Sequence, residues 1–481
     1  MKKHIIVFST LALFALLISS CEKILEPTIK TSITEESAMK SFTEVNTVLL
    51  GAYNTLLSTE YYGRGFIVVP DLLADNTKIT TANSNRYIGE QDNRDGSHIA
   101  IWSMAYSIIA KANEVIARLP QLEEATEAQK KSASGQAYFL RALAYHDLAR
   151  SYARENAVLI NNFDLCVPIV LEPFSGVVDE SAFPIRATVQ QVYAQINSDL
   201  DEAIASFDGG TTSFPFLATA PAAYALKARV NLYERDYAGA ITNADLAITA
   251  ATAAGATLTG VTNYSDAFYK DAETIFGLQV TTTENKIYDS PQSIHVRTNP
   301  DGSIGMTGVG YGDITLRTDT WNNFEAGDIR KDMVMTETKS GQTVYWSLKW
   351  IGAGGAFGID NTQVIRMSEM YLIKAEAYAE LGGAANEALA QTALNMIRTN
   401  RGLPAITPAG QALIDAVAFE NKYEFLYEGH RFFDLKRRGQ DIPKGLPSEG
   451  TTLLYDDYRL VARMPTYEMA ANPNLIQNPG Y

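Results

Sequence analysis

Apolar residues recur through the first half of the chain at the three- and four-residue spacing of a buried helix face. Between Thr34 and Ser58 they are Phe42, Val45, Leu49, Tyr53 and Leu56, which predicts one helix. A second is predicted from Ser97 to Leu119, closed by Pro120. In "GQAYFLRALAYHDLARSYA", Leu140, Ala144 and Leu148 stand four apart beside Leu143 and Tyr152, giving an amphipathic helix. Another starts near Thr188, where Thr188 and Gln191 make a capping-box pattern ahead of Val189, Val192, Ile196, Leu200 and Ala203. Three long tracts lack this period: 61–96, 155–186 and 251–361. Within the last, "TIFGLQVT" and "VYWSLKWI" read as short strands, and the Gly, Thr, Asn and aromatic content predicts a folded, irregular insertion rather than a linker.

Two alanine-rich segments share a pattern. In "AAYALKARVNLYERDYAGAITNADLAI", Ala228, Ala240 and Ala247 sit where a tetratricopeptide repeat needs small side chains for two antiparallel helices to approach, with the turn at "RDY". In "MYLIKAEAYAELGGAANEALAQTALNMIR" the turn falls at Gly382-Gly383 and the close contact is expected at Ala375 and Ala388. The fold expected is mostly α, a tetratricopeptide-like helical-repeat scaffold carrying long irregular, partly β insertions.

The first residues change the picture of where the protein works. Lys2 and Lys3 precede an apolar run from Ile5 to Ile18, and Ser19 and Ser20 lead into Cys21. This is the order of a secretory signal, and the run is shorter than the ~20 apolar residues of a membrane span. "ISSC" resembles the bacterial lipobox, so Cys21 is expected to be acylated and to anchor the mature chain, with residues 1–20 as signal peptide. Cleavage removes two lysines and takes the formal charge from −15 to −17, which argues against nucleic acid as a partner. Cys166 is left without a second cysteine.

Catalytic and metal patterns are missing. His4, His98, His146, His295 and His430 form no H-E-x-x-H, there is no C-x-x-C, and "GVGYGD" at 308–313 lacks the spacing of a nucleotide loop. In "EFLYEGHRFFDLKRRG", Glu424, Glu428, Arg431, Asp434 and Arg437 alternate in sign at helical neighbour spacings. We read them as ion pairs locking helix to helix, the alternative being an acid/base set of Glu424, Glu428 and His430. Arg366 and Glu369 are read the same way.

The lipobox with Cys21, "GQAYFLRALAYHDLARSYA", "LKARVNLY", "VIRMSEMYLIKAEAYAELG" with "LNMIRTNRGLP", "EFLYEGHRFFDLKRRG" and the terminal "NPNLIQNPGY" together resemble the SusD/RagB family of Bacteroidetes outer-membrane nutrient-binding lipoproteins. "RMPTYEMAANPN" departs from the usual Pro-Ile-Pro turn near the end. The resemblance implies a single SusD-like domain over 21–481, anchored at the cell surface as a lid on a SusC-like TonB-dependent barrel. Its ligand would be an oligosaccharide, bound without cofactor, metal or covalent chemistry. A peptide or glycopeptide ligand is the alternative within binding proteins. A surface glycoside hydrolase is the alternative outside them, because paired carboxylates occur in any chain with 55 acids.

Sugars present hydroxyls and weakly apolar faces, so their sites combine flat aromatic rings with amides, carboxylates and guanidinium groups on loops held by a scaffold. Two tracts have that composition and match the stretches that carry ligand contacts in the family. The first offers Asp75, Asn76, Asn85, Arg86 and Tyr87; the insertion offers Tyr288, Tyr311, Trp321 and Asn322. Trp321 is the first choice, for its polar neighbours in "TDTWNNFEAGD". Trp346 and Trp350 share one face of the expected strand and are assigned to the core.

Overall fold

A computed structural model of the chain describes residues 39–173, 183–207, 214–299, 301–306, 308–444 and 452–481. The expected signal peptide, the expected lipobox with Cys21 and the beginning of the helix expected from Thr34 lie outside the described residues. That helix is described as α1 (Phe42–Leu56). Ser41 and Glu44 cap it reciprocally, and Val45, Leu49, Tyr53 and Leu56 are buried as the spacing predicts. The tract after it contains a helix the periodicity did not reveal, α2 (Gly65–Leu73). Every residue from Phe66 to Leu73 is buried, so the segment is covered on all sides and shows no stripe.

Four further helices follow the sequence pattern: α3 (Trp102–Arg118), α4 (Glu127–Tyr152), α5 (Val189–Ser206) and α6 (Ala220–Glu234). Thr188 and Gln191 form the predicted capping box at the start of α5. α6 turns at Arg235 into α7 (Tyr237–Ala253), and Ala228, Ala240 and Ala247 are fully buried where the two helices meet. The second hairpin is α8 (Met367–Leu381) and α9 (Ala384–Asn400), turning at Gly382 and Gly383 with φ of 65° and 83°. Ala375 is buried, but Ala388 is exposed and Ala390 takes the close contact instead. Two positions are more than half a turn of helix, so a small register error moves a residue to the opposite face. α10 (Gln411–Glu424) and α11 (Arg431–Arg437) complete the scaffold. Successive helices pack in a continuous stack, α1 on α3, α3 on α4, α4 on α5, and onward through α7 to α8.

The insertion between α7 and α8 contributes most of the strands. β1 (Thr77–Ile79) pairs antiparallel with β3 (Ile314–Leu316), β2 (Thr274–Leu278) with β6 (Thr362–Arg366), and β4 (Val334–Lys339) with β5 (Gln342–Ser347). β2 and β6 close the base of the insertion, and β1 and β3 join it to the loop after α2. β5 ends at Ser347, so Trp350 stands beyond it; both Trp346 and Trp350 are buried nonetheless.

A buried ionic network fastens insertion to scaffold. Arg366, at the end of β6, reaches Glu273 at 3.0 Å, Glu424 at 2.7 Å and Glu428 at 2.8 Å. Arg401 joins Glu273 and Glu424 at 2.9 and 2.7 Å, and Arg330 joins Asp328 and Glu420 at 2.7 and 2.6 Å. Lys349 holds Glu428 at 2.6 Å, while Glu369 pairs with Arg229. Burial raises the Glu424 carboxyl, but the Arg401 and Arg366 charges outweigh it and hold it well below the ordinary range. His430 is part-buried, its imidazole lowered to about 3 chiefly by desolvation, and stacked on Phe425 at 4.3 Å. Glu424 and Glu428 are ion-paired inside the protein, as the structural reading expected. The single helical array implied by their spacing is broken, however: α10 stops at Glu424, and Tyr427 and Gly429 take φ of 66° and 77° before α11 begins.

Candidate functional site

The first sequence tract leaves β1 and is stapled to the insertion by one carboxylate. Ser84 donates its backbone N–H (3.0 Å) and its hydroxyl to Asp313, whose own carbonyl accepts from Thr80 N at 2.8 Å. Asn85 and Tyr87 follow in the left-handed region, with φ of 64° and 63°. This pair of turns carries Arg86 between them toward the insertion.

The facing residues come from three short segments. Tyr311 is set by backbone bonds from Tyr311 and Gly312 to the Ser293 carbonyl at 2.7 and 2.9 Å, and the Lys339 ammonium donates to the Tyr311 carbonyl at 2.8 Å. Gly312 has φ 53°, and a Cβ there would stand 2.6 Å from the Trp346 ring; glycine is what allows this close turn. Tyr288 precedes the short helix Pro291–His295. The glycine-rich loop opposite it is shaped by Asp360, which accepts N–H bonds from Gly352 and Ala353 at 2.8 and 2.9 Å.

The outcome is one surface wall. Tyr288, 49 % exposed, meets Tyr311 edge to face at 6.2 Å and Phe357 at 5.9 Å. The Arg86 guanidinium lies over the Tyr311 ring at 4.3 Å and reaches Asp289 at 3.3 Å, and Arg64 pairs with the same Asp289. Arg64 also faces the Tyr87 ring at 5.9 Å. Burial pushes the Tyr87 phenol up to about 12, with Arg64 and Arg86 opposing. Arg86, Tyr87, Tyr288 and Tyr311 are thus gathered from both tracts, with Asn85 exposed on the adjoining turn.

The remaining expected residues are placed elsewhere. Asp75 is buried between Arg431 at 2.7 Å and Lys422 at 3.1 Å. Burial raises its carboxyl, and the two cations overcome this and hold it low. Asn76 is fully buried beside it. A ligand outside the protein cannot reach either side chain, so both are corrected from binding to structural positions. Trp321 and Asn322 follow β3, at the end away from Tyr311. Asn322 is exposed, but Trp321 is half-buried, stacked on Tyr345 at 4.6 Å and edge-on to Phe324, with the Lys331 ammonium 4.3 Å over its ring. Its polar sequence neighbours belong to a short helix whose other face packs on the aromatic cluster. Tyr288 therefore replaces Trp321 as the leading ring.

Arg64, Asp289 and Phe357 complete the wall and were missed. Asp289 adjoins Tyr288 and was within reach of the sequence reading; Arg64 and Phe357 carry no local signal, since each is brought in by packing over more than 200 or 60 residues of chain, to Asp289 and to Tyr288 respectively.

Comparison with known proteins agrees with this architecture. Residues 269–481 match the model of the SusD family, and residues 26–232 match a model described as starch-binding, associating with outer membrane. The SusD-like protein P38 of Formosa agariphila is 23% identical, covering 96% of both chains. Among solved structures, a SusD superfamily protein from Bacteroides vulgatus superposes with a TM-score of 0.79 at 25% identity, covering 92% of this chain and 100% of that one. A laminarin-binding SusD-like protein matches in fold, with a TM-score of 0.74 at 21% identity over 92% of this chain and 100% of that one. With two family models that between them take in both the helical first half and the closing ionic motif, this chain belongs to the SusD/RagB family.

Proposed function

We propose that the protein is a surface nutrient-binding lipoprotein that captures an oligosaccharide and passes it to a SusC-like TonB-dependent barrel. The convergence of Tyr288, Tyr311, Phe357 and Arg86 from distant loops onto one exposed wall carries this reading. Flat rings offer apolar area at little entropic cost, and the guanidinium beside them supplies directional donors. The laminarin-binding relative and the starch-binding, outer-membrane description of the matched model support a glycan as the ligand class. Anchoring rests on Cys21 and the apolar leader before it, with 21–481 as one domain. No covalent chemistry is asked of the chain.

Calorimetric titration of the detergent-solubilised mature protein against a panel of oligosaccharides tests the site. Tyr288→Ala is expected to weaken the bound sugar about tenfold, equivalent to about 1.4 kcal/mol. Its melting temperature should hold, because the ring is half exposed. Trp321→Ala serves as the comparison: loss of binding there with none at Tyr288 would transfer the site to the far end of β3. Gentle purification from the native membrane is expected to bring the barrel along, and repeated recovery as a lone monomer would count against the lid.

A further inference from the structure

The wall proposed as a glycan site holds two guanidinium groups but one paired carboxylate. Arg64 and Arg86 both turn to Asp289, which is the only carboxylate paired with either among the described residues. A guanidinium has five N–H donors. Arg86 Nη1 and Arg64 Nε are shielded from solvent without an acceptor, and the Tyr87 hydroxyl is in the same condition. Those shielded atoms are out of a ligand's reach, but the Arg86 and Arg64 side chains are still 33% and 16% exposed, so the remaining donors of each fork can be met from outside the chain. Glu90 acts on the Tyr87 phenol only at longer range. The chain as a whole is acidic, so this pair of arginines is a local arrangement and not a consequence of composition.

A neutral hydroxyl accepts weakly and meets one donor at a time. An oxyanion with two or three acceptor oxygens engages a guanidinium fork bidentately and forms the stronger, charge-assisted bond. Resting on the reading of this wall as a glycan site, we infer that the ligand is an acidic glycan, whose uronate carboxylate or sulfate ester seats against Arg86 and Arg64 while a sugar ring lies along Tyr288. Tyr311 holds the Arg86 guanidinium against its face and so fixes the direction of the fork. Asp289 keeps the two guanidiniums together and competes with the incoming anion for them.

The test is calorimetry of the detergent-solubilised mature protein with length-matched probes: oligogalacturonate for the carboxylate, carrageenan oligosaccharide for the sulfate ester, and a neutral gluco-oligosaccharide. The expected result is that one charged probe binds at least tenfold tighter than the neutral one, and which of the two does so identifies the anion. Arg86→Gln and Arg64→Gln should each remove that advantage at unchanged melting temperature. Added salt should weaken the charged probe and spare the neutral one. Asp289→Asn should tighten the charged probe. If the neutral sugar binds as tightly as both charged probes and Arg86→Gln changes nothing, the acidic-glycan inference falls and the glycan site stands. If none of the sugars binds and an Asp/Glu-rich peptide does, through Arg86, both fall.

Discussion

Replacing Glu424 by Gln isolates the network that fastens the insertion to the helical scaffold. The carboxylate accepts from Arg366 Nη1 and Arg401 Nη2 at 2.7 Å each, from Arg401 Nε at 3.0 Å, and stands 3.4 Å from Arg330 Nη1. Glutamine keeps the shape but turns one acceptor into a donor facing guanidinium groups, and it leaves buried positive charge uncompensated. Breaking a buried pair in this way costs about 3–5 kcal/mol. Unfolding entropy of about 2.1 cal/mol/K per residue sums to ~1 kcal/mol/K for a chain of this length, so the midpoint should drop by about 3–5 °C. Differential scanning calorimetry at pH 7.5 reads it. The Arg94–Asp92 pair, with side chains 61% and 41% exposed, supplies the control: Asp92→Asn should cost about 0–1 kcal/mol. The pH dependence has a definite sign. Because the folded-state pKa of Glu424 lies well below its ordinary value of 4.5, its stabilisation is complete above 4.5 and is lost as pH falls toward the folded pKa. The gap between wild type and Glu424→Gln should therefore narrow as the pH is lowered from 4.5. A midpoint within 1 °C of wild type at pH 7.5, or a penalty that persists unchanged into acid, would refute the electrostatic account of this joint.

Two further substitutions probe the scaffold. Asp71 on α2 has its carboxyl raised to about 7, chiefly by burial, with the backbone of Gly429 and Tyr427 opposing, so its ionisation makes stability fall as pH rises from about 4 to about 7. Asp71→Asn should remove that slope and gain more in melting temperature at pH 8 than at pH 4; parallel curves for the two proteins would contradict it. Ala228→Leu forces a larger side chain into the fully buried contact of α6 with α7 and should cost about 1–3 kcal/mol in denaturant unfolding, whereas a neutral result would mean the hairpin opens freely.

Legibility followed the degree to which each element has one wet face. α1, α3 and α5 each bury a stripe; the buried residues of α1 and α5 were named from spacing, and α3 was placed by its bounds. α2 is covered all round and left no period to read. In the closing motif, alternating charge correctly announced ion pairs: Asp434 pairs with Arg431 and Arg437 on α11, whereas Glu424 takes Arg366, Arg401 and Arg330 from other elements, which its sequence neighbours could not reveal. The candidate tracts were chosen by composition, which finds aromatic and amide residues but not their exposure. Asp75 and Asn76 went into the interior and Trp321 partly so, while Tyr288 stayed out.

By itself, the sequence determined the helical-repeat scaffold, the capping box at Thr188, the two alanine-lined hairpins and the family, because these depend on local periodicity and on motifs read within a few turns of chain. Only the tertiary structure decided which residues share the wall at Tyr288. Arg64, at the start of α2, and Asp289, in the insertion, lie more than two hundred positions apart and meet only once the chain is folded. Whether a tyrosine or tryptophan faces solvent depends on what the rest of the chain lays against it. For Trp321 that is Tyr345 and Lys331, and for Tyr288, still 49% exposed, it is the edge of Tyr311 and the tilted ring of Phe357.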